Sequence, residues 1–284
     1  MNRVSTYYPA IMMLVLLASC SPRKGKGIPD RIETSYYQLQ NIFQPDSVEV
    51  STNSAFSEEA KELDSFLVDL DLVRKKDSLL TKECNWYCLK SLIEYNTAVD
   101  CSIYVDLPST ASWRMNTTIK KQLLTRKEDF LEHLREIDVL NNPFRREGIE
   151  SDFRAQLTSA FEDSNYVSFC FMISSYSAGS AHGMHEYETF NFEKASGKRI
   201  SFNDLFEVKT SEDSVLMCDL ITESIGIGKL DHISVYEYDF NLNEDYVVFN
   251  FDAYEVGPYG LGAPRAPLNR RAMLARFGKG NKEF

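Results

Sequence analysis

Apolar and polar positions change period several times along the chain, and each change marks an element. The first apolar run, residues 10–18, follows a start bearing Arg3 and ends in small residues before Cys20. It falls short of the roughly 20 apolar residues that a membrane-spanning helix needs, and no later stretch is as long. Its charge, length and small-residue end mark 1–19 as an export signal. Residues 21–30, Ser-Pro-Arg-Lys-Gly-Lys-Gly-Ile-Pro-Asp, are polar and rich in Gly and Pro, and read as the start of a tether covering 20–55. Over 56–76 the positions Leu63, Phe66, Leu67, Leu70 and Val73 recur at helical spacing. Glu58, Glu59 and Asp64 stand toward the start and Arg74, Lys75 and Lys76 at the end, matching a helix dipole. A second helix is expected over 79–95, so that 56–95 form a helical N-terminal extension.

Residues 99–107 alternate and stop at Pro108, as a strand does. Met115, Ile119, Leu123, Leu124, Phe130, Leu131 and Leu134 place one or two helices over 113–136, closed by Asn141-Asn142-Pro143. A short helix is expected over 149–161. From Tyr166 to Tyr176 the chain is β-branched, aromatic and partly alternating, hence a strand, and the small-residue loop 177–183 follows. Segments 185–192 and 199–202 alternate on either side of Glu193-Lys194-Ala195-Ser196-Gly197-Lys198 and predict a hairpin. A helix over 213–225, strands over 233–240 and 246–251, and a final helix over 268–277 complete the pattern. The expected fold is α+β, with helices packed on a largely antiparallel β-sheet over 96–277.

Charge narrows the possible partners. With 31 Lys and Arg against 42 Asp and Glu the net charge is −11, and cleavage before Cys20 would remove only Arg3 and take it to −12. Nucleic-acid binding wants a basic face, so nucleic acid is not expected as a partner. A basic protein would be steered toward such a chain. After Cys20 five cysteines remain, Cys84, Cys88, Cys101, Cys170 and Cys218, and an odd number is no disulfide scaffold. Cys84 and Cys88 are expected as buried or loosely paired thiols.

Candidate chemistry is sparse. His182 and His185 with Glu186 and Glu188 form the one cluster with metal-ligand residue types, but residues three apart on a strand face opposite sides, and the helical H-E-x-x-H frame is missing. His182 is expected to fix its loop by hydrogen bonding or to contact a ligand. The sequence lacks a G-x-S-x-G elbow, a phosphate-binding glycine loop and a Cys–His pair with a third orienting group, so neither catalytic residues nor a cofactor are expected. Gly257-Pro258-Tyr259-Gly260-Leu261-Gly262 suits a bent loop with positive φ at its glycines. Tyr254, Glu255 and Tyr259 around it could offer aromatic and acidic contacts beside His182.

Two resemblances add to this reading. Leu17-Ala18-Ser19-Cys20 resembles the lipobox of bacterial lipoproteins, which implies lipid on Cys20 and a membrane partner; Ser21 rather than Asp after it implies the outer membrane, facing the periplasm. An ordered series of motifs resembles an envelope domain of unknown function found in the extracellular part of the RsiV anti-sigma factor and the noncatalytic part of the peptidoglycan deacetylase PdaC. The series is Ser174-Ser175-Tyr176, Ala178-Gly179-Ser180-Ala181-His182-Gly183, Thr189-Phe190-Asn191-Phe192-Glu193 with Ser196-Gly197-Lys198-Arg199-Ile200 and Asn203-Asp204-Leu205-Phe206, and Tyr254-Glu255-Val256-Gly257-Pro258-Tyr259-Gly260-Leu261-Gly262. It covers residues 95–270 and departs at Ala178 and Ser180, where glycine and alanine or glycine are typical. This RsiV-like resemblance implies recognition of a lysozyme-like protein or an accessory role near peptidoglycan, and with the lipobox and the missing catalytic motifs the expected function is that of a noncatalytic envelope lipoprotein binding such a ligand. A metal-dependent cell-wall hydrolase and a structural component of an envelope complex are the rival expectations.

Overall fold

The structure, a computed structural model, describes residues 65–68, 73–74, 85–145, 148–228 and 239–279. All of them belong to one compact unit, Thr52–Phe284. Among the described residues eight strands form two sheets. Strands β1 (Cys88–Asn96), β2 (Cys101–Ser109), β3 (Ser151–Glu162), β4 (Tyr166–Tyr176) and β5 (Met184–Glu193) lie in chain order in the first. Every neighbouring pair there is antiparallel except β2 and β3, which run parallel. The second sheet is antiparallel and holds β6 (Asp239–Leu242), β7 (Tyr246–Asn250) and β8 (Arg265–Asn269). Four helices accompany them: α1 (Trp113–Glu136), α2 (Phe202–Leu205), α3 (Ser211–Ile225) and α4 (Arg270–Phe277). No described helix is long and apolar enough to cross a membrane.

The crossover between the parallel strands β2 and β3 is made by α1. Ser112 caps it by accepting from the Met115 N–H, and Met115, Ile119, Leu123, Lys127, Leu131 and Leu134 give it a buried stripe three and four residues apart. That stripe covers Ile103, Val105, Phe153, Ala155, Phe169, Phe171, Phe190 and Phe192 of the first sheet. Each such phenylalanine, fully removed from water, contributes on the order of 2 kcal/mol. A bulge in β3 between Leu157 and Ser159 then exchanges the two faces. Phe153, Ala155 and Leu157 point toward α1 at odd positions, whereas after the bulge Ala160 does so and Phe161 joins the other core.

That other core lies between the second sheet and α2, α3 and α4, with Phe240, Leu242, Val247 and Phe249 facing Met217, Leu220, Ile221, Met273 and Phe277. A capping box, Thr210 with Asp213, starts α3, and Gly226 in the left-handed region ends it. Between the two sheets runs a polar seam. The Ser168 hydroxyl donates to Asn191 Oδ1 at 2.7 Å, and Asn191 Nδ2 donates to the Phe240 carbonyl at 2.7 Å. The Leu242 N–H donates to Ser168 Oγ at 2.9 Å, and Asn250 Nδ2 to Asn241 Oδ1 at 3.0 Å. No buried side-chain N or O among the described residues lacks a partner, so the seam fixes one arrangement of the sheets at little desolvation cost.

The α+β class and the helix over 113–136 stand as expected, as do the strands β2, β4 and β5. Elsewhere the structure corrects the sequence reading. Residues 88–96 are strand β1 rather than helix, and 151–162 are strand β3 rather than helix. Of the second hairpin arm at 199–202, only a single bridge from Phe192 to Arg199 forms before α2 begins at Phe202. Leu268 belongs to β8, and the last helix starts at Arg270. Within 56–76 the described residues 65–68 are turn and bridge, Leu67 pairing with Leu268, while 73–74 are helical. Cys88 is exposed, against expectation, while Cys101, Cys170 and Cys218 are buried. The signal segment, Cys20, the whole of the expected tether, Cys84 and most of the expected helical extension lie outside the described residues.

Candidate functional site

The loop 177–183 at the tip of the β4–β5 hairpin is held from below. The Ala178 N–H donates to the buried Ser151 Oγ at 3.1 Å, and Asn142 Nδ2 donates to the Ala178 carbonyl at 3.4 Å. Gly179 adopts φ +96°, and a Cβ there would meet Asn142 Nδ2 at 2.7 Å, so a side chain would be strained by conformation and would have to displace the Asn142 amide. The motif glycine is thus the point where the loop lies flat on the Asn142 turn.

The segment after β7 reaches the same place along the outer edge of β5. The Ala253 N–H donates to the His185 carbonyl at 2.9 Å, and the Tyr187 N–H to Asp252 Oδ1 at 2.7 Å. Glu255 turns its carboxylate back to accept from the Asp252 N–H at 2.7 Å, tightening the turn that throws Tyr254 outward. Tyr254 has φ +73°, a left-handed conformation that costs a non-glycine residue on the order of 1 kcal/mol. Of the glycines in 257–262, only Gly262 has positive φ; the strained position of this loop is the tyrosine.

The two loops meet at His182. Its Nδ1 lies 3.0 Å from the Gly183 carbonyl, which can only accept, so Nδ1 carries the proton. Nε2 then accepts from the Tyr254 hydroxyl at 2.9 Å. The Tyr259 ring stacks on the imidazole at 3.8 Å between centroids and 23° between planes, and lies 5.5 Å from the Tyr254 ring. His182 and Tyr254 are exposed and Tyr259 is half-buried. Three of the four expected contact residues, His182, Tyr254 and Tyr259, therefore form one aromatic platform open to solvent, and the fourth, Glu255, supports it from behind.

On the other side of the same loop is a recess of about 460 Å³ lined by Phe144, Ile149, Tyr176, Gly179, Ser180 and Ala181. Phe144 is 77 % exposed. Sequence reasoning missed Phe144 and Tyr176 as site residues; an aromatic directly after the Asn-Asn-Pro turn was the available signal.

His185 goes elsewhere: its Nδ1 lies 3.0 Å from Ser174 Oγ, and Glu186 forms an ion pair with Arg126 of α1. Among the described residues no group of three His, Cys, Asp or Glu is placed to hold a metal ion. Beside residues 187–189 of β5 lies a group of carboxylates that the sequence pattern did not reveal. Burial, with the neighbouring Glu188 and Asp252 adding to it, pushes the Asp239 carboxyl up to about 7. Burial also raises Glu188, against the pull of Arg199 and Arg126, and raises Asp252. Thr189 donates to Asp239 at 3.0 Å, and Arg199 Nη2 lies 3.4 Å from Glu188 and donates to the Thr189 carbonyl at 2.7 Å.

No family profile and no curated protein matches the chain. Among solved structures it is similar to a DUF3298 family member from Bacteroides fragilis, with 11 % identity and a TM-score of 0.47 over 69 % of this chain and 93 % of that one. A DUF3298 family protein from Pseudomonas aeruginosa is similar at 14 % identity and a TM-score of 0.43, over 69 % of this chain and 94 % of that one.

Proposed function

We propose that this chain is a noncatalytic lipoprotein of the bacterial envelope, RsiV-like in its recognition domain, lipid-anchored through Cys20 in the outer membrane, facing the periplasm. The His182–Tyr254–Tyr259 platform binds a cell-wall or protein ligand there, with peptidoglycan and lysozyme-like proteins as the candidates. The observation that carries the reading is the convergence of two distant loops on an exposed stack of rings. Water-facing aromatics carry a cost to solubility, and here a strained tyrosine and a glycine in a left-handed conformation keep them in place. Rings held rigidly at a surface lose little entropy on binding and are common anchors for partners. Stacked faces also suit the apolar faces of sugar rings. The net charge of −12 left after cleavage before Cys20 favours encounter with a basic protein such as a lysozyme.

The test is retention at low salt on purified peptidoglycan and on immobilised lysozyme. The wild-type chain is expected to be held by at least one of them, and Tyr259→Ala to weaken that retention at least tenfold, about 1.4 kcal/mol. A wild-type chain that passes through both columns removes the binding reading. Anchoring is tested separately by metabolic labelling with a fatty acid, which should mark the wild-type chain and leave Cys20→Ala unmarked.

A further inference from the structure

Strand β1 is the open edge of the first sheet. It pairs with β2 through nine consecutive register positions with no bulge, and among the described residues nothing pairs with its other edge. Native edge strands are commonly shortened, bulged, covered or interrupted by proline to prevent pairing with other chains. Strand β1, Cys-Leu-Lys-Ser-Leu-Ile-Glu-Tyr-Asn, shows none of these devices beyond one lysine. Its side chains at 89, 91, 93 and 95 share the face away from α1, and Leu89 is 41 %, Ile93 76 % and Tyr95 50 % exposed. Ile93 and Tyr95 rim a recess of about 460 Å³ with Ser102, Tyr104, Asp152 and Arg154.

We propose that β1 pairs with β1 of a second copy of this chain, antiparallel about a two-fold axis at Leu92, to join the two five-stranded sheets into one. The strand is complementary to itself in this register. Lys90 falls opposite Glu94 of the second copy, and Glu94 opposite its Lys90, so both opposite-charge pairs form at once. Leu89 falls opposite Tyr95 and Ser91 opposite Ile93, so the exposed apolar side chains of both copies merge into one stripe. Centring the axis one residue earlier or later sets Lys90 against Leu92 or Asn96 and loses the charge pairs. Within each copy Lys127 is shared between Glu94 at 3.1 Å and Glu128 at 3.0 Å, and Lys90 of the second copy would offset the negative charge left over. A closed two-fold pairing is also what keeps such an edge from propagating into a fibre. The Cys88 thiols end up eight residues apart along the seam, roughly 27 Å at about 3.4 Å per residue, so no disulfide between them holds the dimer.

Sedimentation equilibrium of the purified full chain, with reductant present, tests this. The wild type is expected to be a dimer whose dissociation constant rises at least tenfold in Ile93→Lys, a change at a side chain three-quarters in solvent that leaves the circular dichroism unaltered. Lys90→Glu and Glu94→Lys should each be monomeric alone, and an equimolar mixture of the two should recover a dimer, because each restores the charge the other lost. Should Glu94→Lys fail to fold, Leu92→Cys replaces it: oxidation should link two copies through the axis, at a Cα separation that a disulfide accepts. A wild-type chain that stays monomeric at every concentration overturns the proposal and leaves the edge to an extended segment of another protein. A dimer indifferent to Ile93→Lys and Lys90→Glu overturns it as well.

Discussion

Tyr254 joins strain and exposure in one residue, and the two can be separated by substitution. Both Tyr254→Ala and Tyr254→Gly remove the ring and the hydroxyl that His182 accepts, so both should lose ligand retention. Only glycine accepts φ +73° without penalty, so the glycine variant should be more stable than the alanine variant by roughly 1 kcal/mol in urea unfolding; the reverse order would show that the turn is not held as described. Gly179→Ala should cost on the order of 2 kcal/mol in the same measurement, since the added methyl meets Asn142 at 2.7 Å in a conformation already unfavourable for it. From the sequence, His182, Tyr254 and Tyr259 could be proposed as neighbours through the motif series. The strain was assigned to glycines 257–262, because a positive φ at tyrosine leaves no compositional trace.

Among the elements, those with one consistently buried face were legible and the others were not. Helix α1 presents a single apolar stripe to a single sheet, so its period survives in the sequence. In β3 the bulge at Leu157 and Ser159 breaks the alternation, and Phe153, Leu157 and Phe161 are left four residues apart, the spacing of a helix. Strand β1 is exposed on both sides along most of its length, and without a buried face it carries no period at all. Asp106 shows how a side chain can finish what the backbone begins. The parallel β2–β3 ladder ends at Val105 and Ala155, and Asp106 Oδ2 then accepts from the Leu157 N–H at 3.0 Å while Oδ1 accepts from Ser91 and Tyr104 at 2.8 Å each. Asp106→Ala leaves that buried N–H without an acceptor, and a loss of about 1–3 kcal/mol is expected in denaturant unfolding; an unchanged midpoint would mean that water reaches the ladder's end.

Across the whole molecule, the seam between the sheets combines neutral amides and hydroxyls with a carboxylate that favours its proton. The Asp239 carboxyl rises from an ordinary value near 3.8 to about 7, chiefly by burial, so between these values the folded state holds a proton that the unfolded chain has released. Stability from this group is fully present below pH 4, falls as the pH rises toward 7, and changes no further above it. Asp239→Asn keeps an acceptor for Thr189 without the charge. Its unfolding free energy should match the wild type near pH 4 and exceed it at pH 7.5, by an amount on the order of a few kcal/mol. A constant offset between the two profiles would contradict this assignment. The layered arrangement has a further consequence through Phe277, which is 1 % exposed in the core of the second sheet, while its carbonyl accepts from the Glu207 N–H at 2.7 Å. In chain order β1 to β5 and α1 complete the first core before the second has all its parts. The second core cannot close without the last helix, so a chain truncated before Arg270 would leave its phenylalanines exposed to water.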